Sequence, residues 1–229
     1  MPRHFILVDA NVLAASYAPT TTRSLKLRER SGKLLNLAGK NDVQLLVANF
    51  CIAEVFSVFE KYRWGSAWNP QLKKSKTKLT PSEFKRSRDE FRTAIHNGAA
   101  IIQIELDRYH VLCMDLVSTI NHAYRIKRDH GSKQYVVPAN TYDMLLMAMG
   151  IWLRHMHGGE NFTIVTGDER ISDVVNRARS IKLNKEIRSH LSSIATGLGL
   201  VYSPDLYPDV LNLKSCTETA LRTRFSWWP

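Results

Sequence analysis

Four acidic residues lie in segments that otherwise have the apolar character of buried structure. Asp9 follows the apolar run Phe5–Val8, and Asp168 ends the apolar segment NFTIVTGD, while Glu54 and Asp143 fall within mostly apolar stripes at helical spacing. A carboxylate on a face that packs inward costs several kcal/mol unless a cation or strong donors meet it. For one such acid, a salt bridge or a helix cap is a sufficient explanation. Four such acids that converge at one place favour a functional site instead. Clusters with oxygen ligands only suit hard cations such as Mg²⁺ or Mn²⁺.

The elements that must position these acids alternate between strand and helix. Short apolar runs without alternation indicate strands that are covered on both faces, and strands separated by helices indicate a parallel sheet. The pattern predicts an α/β fold, a three-layer sandwich with a central, mainly parallel sheet and helices on both faces. Right-handed crossovers then place Asp9 and Asp168 at the same sheet edge. The predicted strands are 5–8, 43–48, 100–106, 161–168 and LGLVYS (198–203), and one long helix is predicted from about 107 to 128.

The ordered segments FILVDANVL, ANFCIAEVF, ANTYDMLLMAMG and FTIVTGDERISD resemble the acidic motifs of PIN-domain (PilT N-terminus-like) nucleases. The resemblance spans about residues 4 to 180. It implies that four acids are catalytic and bind Mg²⁺ or Mn²⁺, with one more acid as a further ligand: Asp9, Glu54, Asp143 and Asp168, then Asp173. It also implies that Asn11 and Thr166 lie beside the ligands and fix the carboxylates.

The same resemblance implies a function, a metal-dependent ribonuclease that hydrolyses phosphodiester bonds in single-stranded or structured RNA, with endonuclease action favoured over exonuclease action. It further implies the toxin of a toxin–antitoxin pair, with an inhibitory antitoxin protein and a homodimer as partners. Glu54 and Asp143 are 143 − 54 = 89 residues apart, which is longer than small toxin members lead us to expect. The alternative is a PIN-fold module that binds RNA or a protein without cutting.

The charge of the chain indicates a polyanionic partner. The formal net charge is +11, and a cluster of basic residues with few acids lies in and after the segment WGSAWNPQLKKSKTKLTP. We predict one PIN-like domain over 1–203 with a basic helical insertion at about 64–98, followed by a tail at 204–229 that packs on the domain or on a partner. The residues predicted to bind nucleic acid are Lys73, Lys74, Lys76, Lys78, Lys85, Arg86 and Arg88.

Other classes of protein fit the sequence less well. No run approaches the ~18 consecutive apolar residues of a membrane span, and a cytoplasmic protein is expected. The odd set Cys51, Cys113 and Cys216 has no CxxC spacing and predicts reduced thiols rather than zinc ligands. A haloacid-dehalogenase-like phosphotransferase needs a second Asp two positions after the first, where Asn11 stands. A receiver domain needs adjacent acids and a phosphoacceptor on a later strand, and we do not find this combination.

Overall fold

A computed structural model describes residues 4–37, 43–65, 78–98, 101–128, 138–180 and 183–228 of the chain. In these residues five strands form one parallel sheet in the order β3-β2-β1-β4-β5. The strands are β1 (His4–Val8), β2 (Val43–Ala48), β3 (Ile101–Ile104), β4 (Phe162–Thr166) and β5 (Asp209–Asn212). The α/β class with a central parallel sheet is therefore confirmed, and the arrangement is consistent with the predicted three-layer sandwich.

The helices alternate with the strands, as a parallel sheet requires. They are α1 (Ala10–Tyr17), α2 (Leu25–Leu37), α3 (Asn49–Trp64), α4 (Pro81–Asn97), α5 (Arg108–Leu112), α6 (Met114–Arg128), α7 (Thr141–His157), α8 (Glu169–Ser180), α9 (Lys185–Gly197) and α10 (Glu218–Arg224). None of the helices in the described residues is long and apolar enough to cross a membrane.

The chain divides into two compact units. The first holds the described residues of Met1–Glu105 together with Val165–Gly167 and Leu211–Pro229. The second holds Leu106–Ile164 and Asp168–Val210. Parts of the predicted tail thus belong to each unit.

The core of the first unit begins with its strands. All six residues of β2 are buried, and they pair in parallel with both neighbouring strands, so that Leu45 lies opposite Ile6 of β1 and Ile101 of β3. Helices α1, α3 and α4 contact one another and contribute a cluster of aromatic rings, in which Phe56 and Phe91 have centroids 5.2 Å apart. Burial of such runs on both faces explains why β1 and β2 carry no polar alternation.

Helix α4 begins at the segment TPSE, Thr80 to Glu83. Thr80 is its N-cap, Pro81 its first residue, and the side chain of Glu83 accepts a hydrogen bond from the Thr80 N–H while the Thr80 hydroxyl accepts one from the Glu83 N–H. This reciprocal pair is a capping box. The helix ends at Gly98, whose φ of 62° is the left-handed conformation that favours glycine.

The C-terminal segment is attached to the first unit by a buried arginine. Arg30 of α2 donates to the carboxylate of Glu218 at 2.7 Å and to the backbone carbonyl oxygens of Leu213 and Cys216 at 2.9 Å each. Trp228 donates its indole N–H to the other oxygen of Glu218 at 3.3 Å. The aromatic end of the chain is therefore held by hydrogen bonds inside the first unit.

The core of the second unit is helical. Helix α6 contacts α7, α8 and α9, and the buried residues include Leu116, Met147, Val175 and Leu191. The hydroxyl of buried Tyr207 donates to the carbonyl oxygen of Leu116 at 3.2 Å, and burial raises the pKa of this phenol.

Three predicted elements differ from the structure. The helix expected from about 107 to 128 is two helices that meet at Cys113, because Asp107 caps the short α5 and a new helix begins at Met114. The segment LGLVYS is not a strand; a turn occupies Gly199, which has φ 73°, and Val201 is largely exposed. The fifth strand is instead β5, within the segment that we predicted to be a tail.

The cysteines are free thiols, as expected. Cys51 and Cys113 are buried and Cys216 is half-buried, and none of them is in a disulfide. Burial raises the pKa of Cys113 to about 12, so this thiol stays protonated at neutral pH.

Candidate functional site

Asp9 lies at the carboxyl end of β1 and is 6% exposed. It occupies the N-cap position of α1, but its side chain makes no capping hydrogen bond to that helix. The simple interpretation of Asp9 as a helix cap is therefore insufficient. Its backbone N–H donates to the carbonyl oxygen of Val165 at 3.0 Å, which fixes the end of β1 against the end of β4.

The carboxylate of Asp9 is held by the two residues that the resemblance places beside it. Thr166 donates its hydroxyl to Asp9 Oδ2 at 2.5 Å, and Asn11 donates its side-chain N–H to the same oxygen. Two donors on one oxygen satisfy the hydrogen-bonding needs of this buried carboxylate and fix its orientation. Asp9, Asn11 and Thr166 are thus one hydrogen-bonded group within the first unit.

Gly167 gives this group its tight geometry. Its backbone N–H donates to Asn11 Oδ1 at 2.7 Å, so that both ends of the Asn11 amide are used. A Cβ at position 167 would lie 2.9 Å from Asn11 Oδ1 and 2.9 Å from a Leu27 methyl carbon. Any other residue at position 167 would require the Asn11 amide and the Leu27 side chain to move.

In the second unit, Asp143 and Asp168 meet at a single guanidinium. Arg170 donates to Asp168 through Nε at 3.0 Å to Oδ1 and through Nη2 at 2.5 Å to Oδ2. The same Nη2 lies 3.3 Å from Oδ2 of Asp143. Asp143 in the first turn of α7 and Asp168 just before α8, 168 − 143 = 25 residues apart in the chain, thus share one cation.

Asp143 has a second role in the first turn of α7. Its Oδ2 accepts a hydrogen bond from the Asn140 N–H at 3.0 Å, and its own N–H donates to Asn140 Oδ1 at 2.9 Å. The resulting capping box fixes the carboxylate at the start of the helix. The cap and the salt bridge that we weighed as explanations for Asp143 are therefore both present.

Even with these contacts, the pKa of Asp143 is raised above its ordinary value. Burial is the largest cause, while the Asn140 N–H and Arg170 oppose it and the charge of Asp168 adds to it. The contribution of Asp168 shows that the two carboxylates interact electrostatically. An acid whose pKa is raised by burial and by a neighbouring carboxylate is a candidate functional residue.

Two other predicted ligands lie on exposed surfaces. Glu54 does not face inward as we expected, because the buried positions of α3 are Cys51, Val55 and Phe59, and Glu54 lies outside that stripe. The side chain of Asp173 is 57% exposed and pairs with Arg177 one turn later at 3.3 Å. Their assignment as metal ligands stays a prediction.

The predicted nucleic-acid-binding residues separate into groups. Lys73, Lys74 and Lys76 lie outside the described residues, and Lys78 is exposed just before α4. Lys85 and Arg86 are exposed on α4, whereas half-buried Arg88 lines a groove in the first unit. Because residues two apart do not share a helix face, Arg86 points away from the face of Arg88.

Arg170 is the residue of this region that the sequence did not single out. It follows Asp168 by two positions in TGDER, and nothing in the sequence distinguishes it among 32 lysines and arginines. Within the described residues, no group of three or more His, Cys, Asp or Glu side chains is arranged to hold a metal ion. The pair with the clearest capacity to hold a cation is therefore Asp143 and Asp168.

Comparisons with known proteins give no assignment. No protein-family model matches the chain, and no curated protein matches it in sequence. The resemblance to PIN-domain nucleases consequently rests on the acidic motifs and their order, and the function must be argued from the contacts described above.

Proposed function

We propose that the chain is a metal-dependent ribonuclease of the PIN type that cuts RNA internally by hydrolysing phosphodiester bonds. One observation carries the proposal: Asp143 and Asp168 hold a cation between them in the second unit, with Arg170 Nη2 at 3.3 Å and 2.5 Å from their oxygens. Two carboxylates that approach one positive group present the oxygen ligands that Mg²⁺ or Mn²⁺ uses.

The residues fit a water-rich Mg²⁺ site. Mg²⁺ commonly binds through one or two carboxylates and fills its remaining positions with water and substrate phosphate oxygens. Asp143 and Asp168 supply two such carboxylates, and both retain some exposure, at 13% and 23% of their side chains. When bound, the metal supplies charge neutralisation on the phosphoryl group and a more acidic water.

The protein's own groups prepare the carboxylates. The capping box with Asn140 orients Asp143, and the raised pKa of Asp143 reflects an environment in which its charge is only partly balanced. Arg170 balances the charge of the pair, and its guanidinium would suit a phosphate oxygen if a metal ion were held by the carboxylates. Within the first unit, Asn11 and Thr166 fix Asp9 in the same manner. Asp9, Glu54 and Asp173 remain predicted members of the catalytic or metal-binding set.

RNA is the proposed substrate because the basic character of the chain extends into described structure. Helix α4 exposes Lys85, Arg86 and Arg92, and the formal net charge of the whole chain is +11. The antitoxin, the homodimer and the cytoplasmic location stay predictions.

A second candidate function has one observation in its favour. Arg170 neutralises Asp143 and Asp168 without a metal, and a purely structural ion pair has the same contacts. The chain would then be a PIN-fold module that binds RNA or a protein without cutting.

One experiment separates the two functions. A fluorescently labelled pool of mixed-sequence RNA is incubated with the protein in Mg²⁺, in Mn²⁺ and in EDTA, and the products are separated on a denaturing gel. Internal cuts that require the metal, and that disappear in Asp168→Asn, support the ribonuclease. RNA binding without cleavage in either metal supports the non-catalytic module.

A further inference from the structure

The first unit contains an open groove whose lining includes none of the four predicted catalytic acids. Its volume is about 550 Å³, and it lies among α3, α4 and β3. Strand β3 forms one edge of the sheet, so the groove opens along that edge. Its lining residues are Phe56, Glu60, Arg88, Arg92, Ile95, His96 and Gln103.

The basic residues of this α3–α4–β3 groove form one stripe. Arg88, Arg92 and His96 follow each other at intervals of four residues in α4, so they share a helix face with a rise of about 6 Å between successive positions. In the part of the chain that the structure describes, neither Arg88 nor Arg92 makes an ion pair. Their donors are therefore available to an external anion.

The remaining lining residues suit a nucleotide rather than a bare anion. Phe56 is half-buried, and its ring is steadied by edge contacts with Phe59 and Phe91 at centroid distances of 6.4 Å and 5.2 Å. Gln103 presents an exposed side-chain amide, which both donates and accepts hydrogen bonds. Arginines for phosphates, a fixed aromatic ring for stacking and an amide for base edges are the components of single-strand recognition.

We propose that the α3–α4–β3 groove binds a segment of single-stranded RNA, with Arg88 and Arg92 on successive phosphates and Phe56 and Gln103 on a base. This inference rests on the proposed ribonuclease function, for which it names the place where substrate is held. It differs from the predicted use of Lys85 and Arg86, and it adds Phe56 and Gln103, which the sequence had not singled out for binding.

Glu60 gives the proposal a test of opposite sign. Its exposed carboxylate lies in the same groove, and it makes no ion pair with any described residue. A carboxylate beside bound phosphates repels them, so Glu60→Gln should tighten RNA binding. If RNA did not bind at this groove, Glu60→Gln would not be expected to tighten RNA binding.

The experiment measures binding in EDTA, where no metal-dependent cleavage occurs. A fluorescein-labelled, mixed-sequence single strand of about 12 nucleotides is titrated with protein at several salt concentrations, and fluorescence anisotropy gives Kd. Arg88→Gln/Arg92→Gln should raise Kd and reduce the slope of log K against log salt by roughly 0.7 for each lost phosphate contact. Glu60→Gln should lower Kd severalfold.

The matched control is Lys33→Gln/Arg222→Gln, which removes the same charge from exposed positions of the first unit. Circular dichroism and thermal melts verify that every variant is folded. If the groove double variant binds with the same Kd and slope as this control, the groove proposal is overturned, whether or not the enzyme cleaves RNA. If poly-glutamate displaces the RNA at equal charge concentration, an acidic protein segment replaces RNA as the partner.

Failure of the groove and failure of the ribonuclease are distinguishable. A wild type that binds RNA through Arg88 and Arg92 but cuts nothing in Mg²⁺ or Mn²⁺ supports the groove and contradicts the nuclease. If the Arg88→Gln/Arg92→Gln variant cuts RNA as well as the wild type does, the groove proposal is contradicted and the nuclease is supported.

Discussion

Arg170 binds Asp168 through both oxygens of the carboxylate, with Nε 3.0 Å from Oδ1 and Nη2 2.5 Å from Oδ2. Bidentate, charge-assisted pairs of this kind are the stronger hydrogen bonds in proteins. Because Nη2 also lies 3.3 Å from Asp143, the guanidinium offsets the repulsion between two acids. Arg170 and a metal ion would therefore compete for the same carboxylate oxygens.

Replacement of Arg170 by Gln should change the response to metal. In EDTA the variant should melt at a lower temperature than the wild type, because Asp143 and Asp168 then repel each other without a cation. Added Mg²⁺ should raise its melting temperature by more than it raises that of the wild type, since the ion no longer competes with a guanidinium. Thermal melts with EDTA and then with Mg²⁺ measure both effects.

The control for this measurement is Arg188→Gln, which removes an exposed arginine of α9, in the same unit, that makes no ion pair with a described residue. Its gain on Mg²⁺ addition should equal that of the wild type. An Arg170→Gln variant that gains no more than Arg188→Gln would show that Asp143 and Asp168 serve only as structural ion-pair partners of Arg170.

The positions of Asp9 and Thr166 follow from rules that a sequence makes visible. Each ends or follows an apolar strand, and parallel strands bring their carboxyl ends to one edge, so the contact between them could be anticipated. The outward position of Glu54 could not be inferred reliably, because α3 buries only Cys51, Val55 and Phe59 and a shift of one residue rotates a helical position by about 100°. The role of Arg170 depends on a side-chain direction that the sequence does not encode locally.

The fold was predictable where apolar runs were short and uninterrupted. Strand β2 has the predicted bounds, since all of its side chains are buried. Strand β5 was missed because only Asn212 of its four residues is fully buried, so no apolar pattern marks it. The apolar residues of LGLVYS led us to predict a strand where there is none, because the chain turns at Gly199.

Gly167→Ala should loosen the group around Asp9. The new methyl would lie 2.9 Å from Asn11 Oδ1, so the Asn11 amide must move and its bond from the Gly167 N–H must lengthen. We expect a loss of about 1–3 kcal/mol in the free energy of unfolding and a fall in cleavage. Urea denaturation and the RNA cleavage assay measure them. Gly32→Ala, where a Cβ meets nothing within 4 Å, is the matched control; equal effects of the two substitutions would contradict the steric argument.

His4 should make the protein less stable in mild acid. Burial, reinforced by the charge of Arg224, lowers the pKa of His4 to about 4. Between its ordinary pKa near 6.5 and 4 the unfolded chain binds the proton and the folded chain does not, so stability present above pH 6.5 is lost as the pH falls. Because His4 is only half-buried, solvent screening reduces its share to ~1–2 kcal/mol.

His4→Phe keeps an aromatic ring against Phe225, whose centroid lies 5.1 Å from that of His4, and removes the titration. The free energy of unfolding of the variant, measured by urea denaturation from pH 4 to 7, should fall less steeply in acid than that of the wild type. Parallel curves for the two proteins would exclude His4 as the titrating group.

Asp143→Asn separates a metal-binding carboxylate from a structural one by the sign of its effect. Arg170 keeps both of its bonds to Asp168 in this variant, so no cation is stranded, and the raised pKa of Asp143 means that its environment disfavours the charge that is removed. Stability in EDTA should therefore stay within about 0.5 kcal/mol of the wild type or rise. The gain in melting temperature on adding Mg²⁺ should shrink, because stabilisation by a ligand follows its affinity for the folded state, and cleavage should collapse. Thermal melts with and without Mg²⁺ and the RNA assay measure these effects.

The opposite result would be a loss of roughly 3–5 kcal/mol in EDTA, which is the cost of breaking a buried ion pair, with cleavage intact in the folded fraction. That result would remove Asp143 from the metal site and refute the nuclease mechanism proposed for this chain.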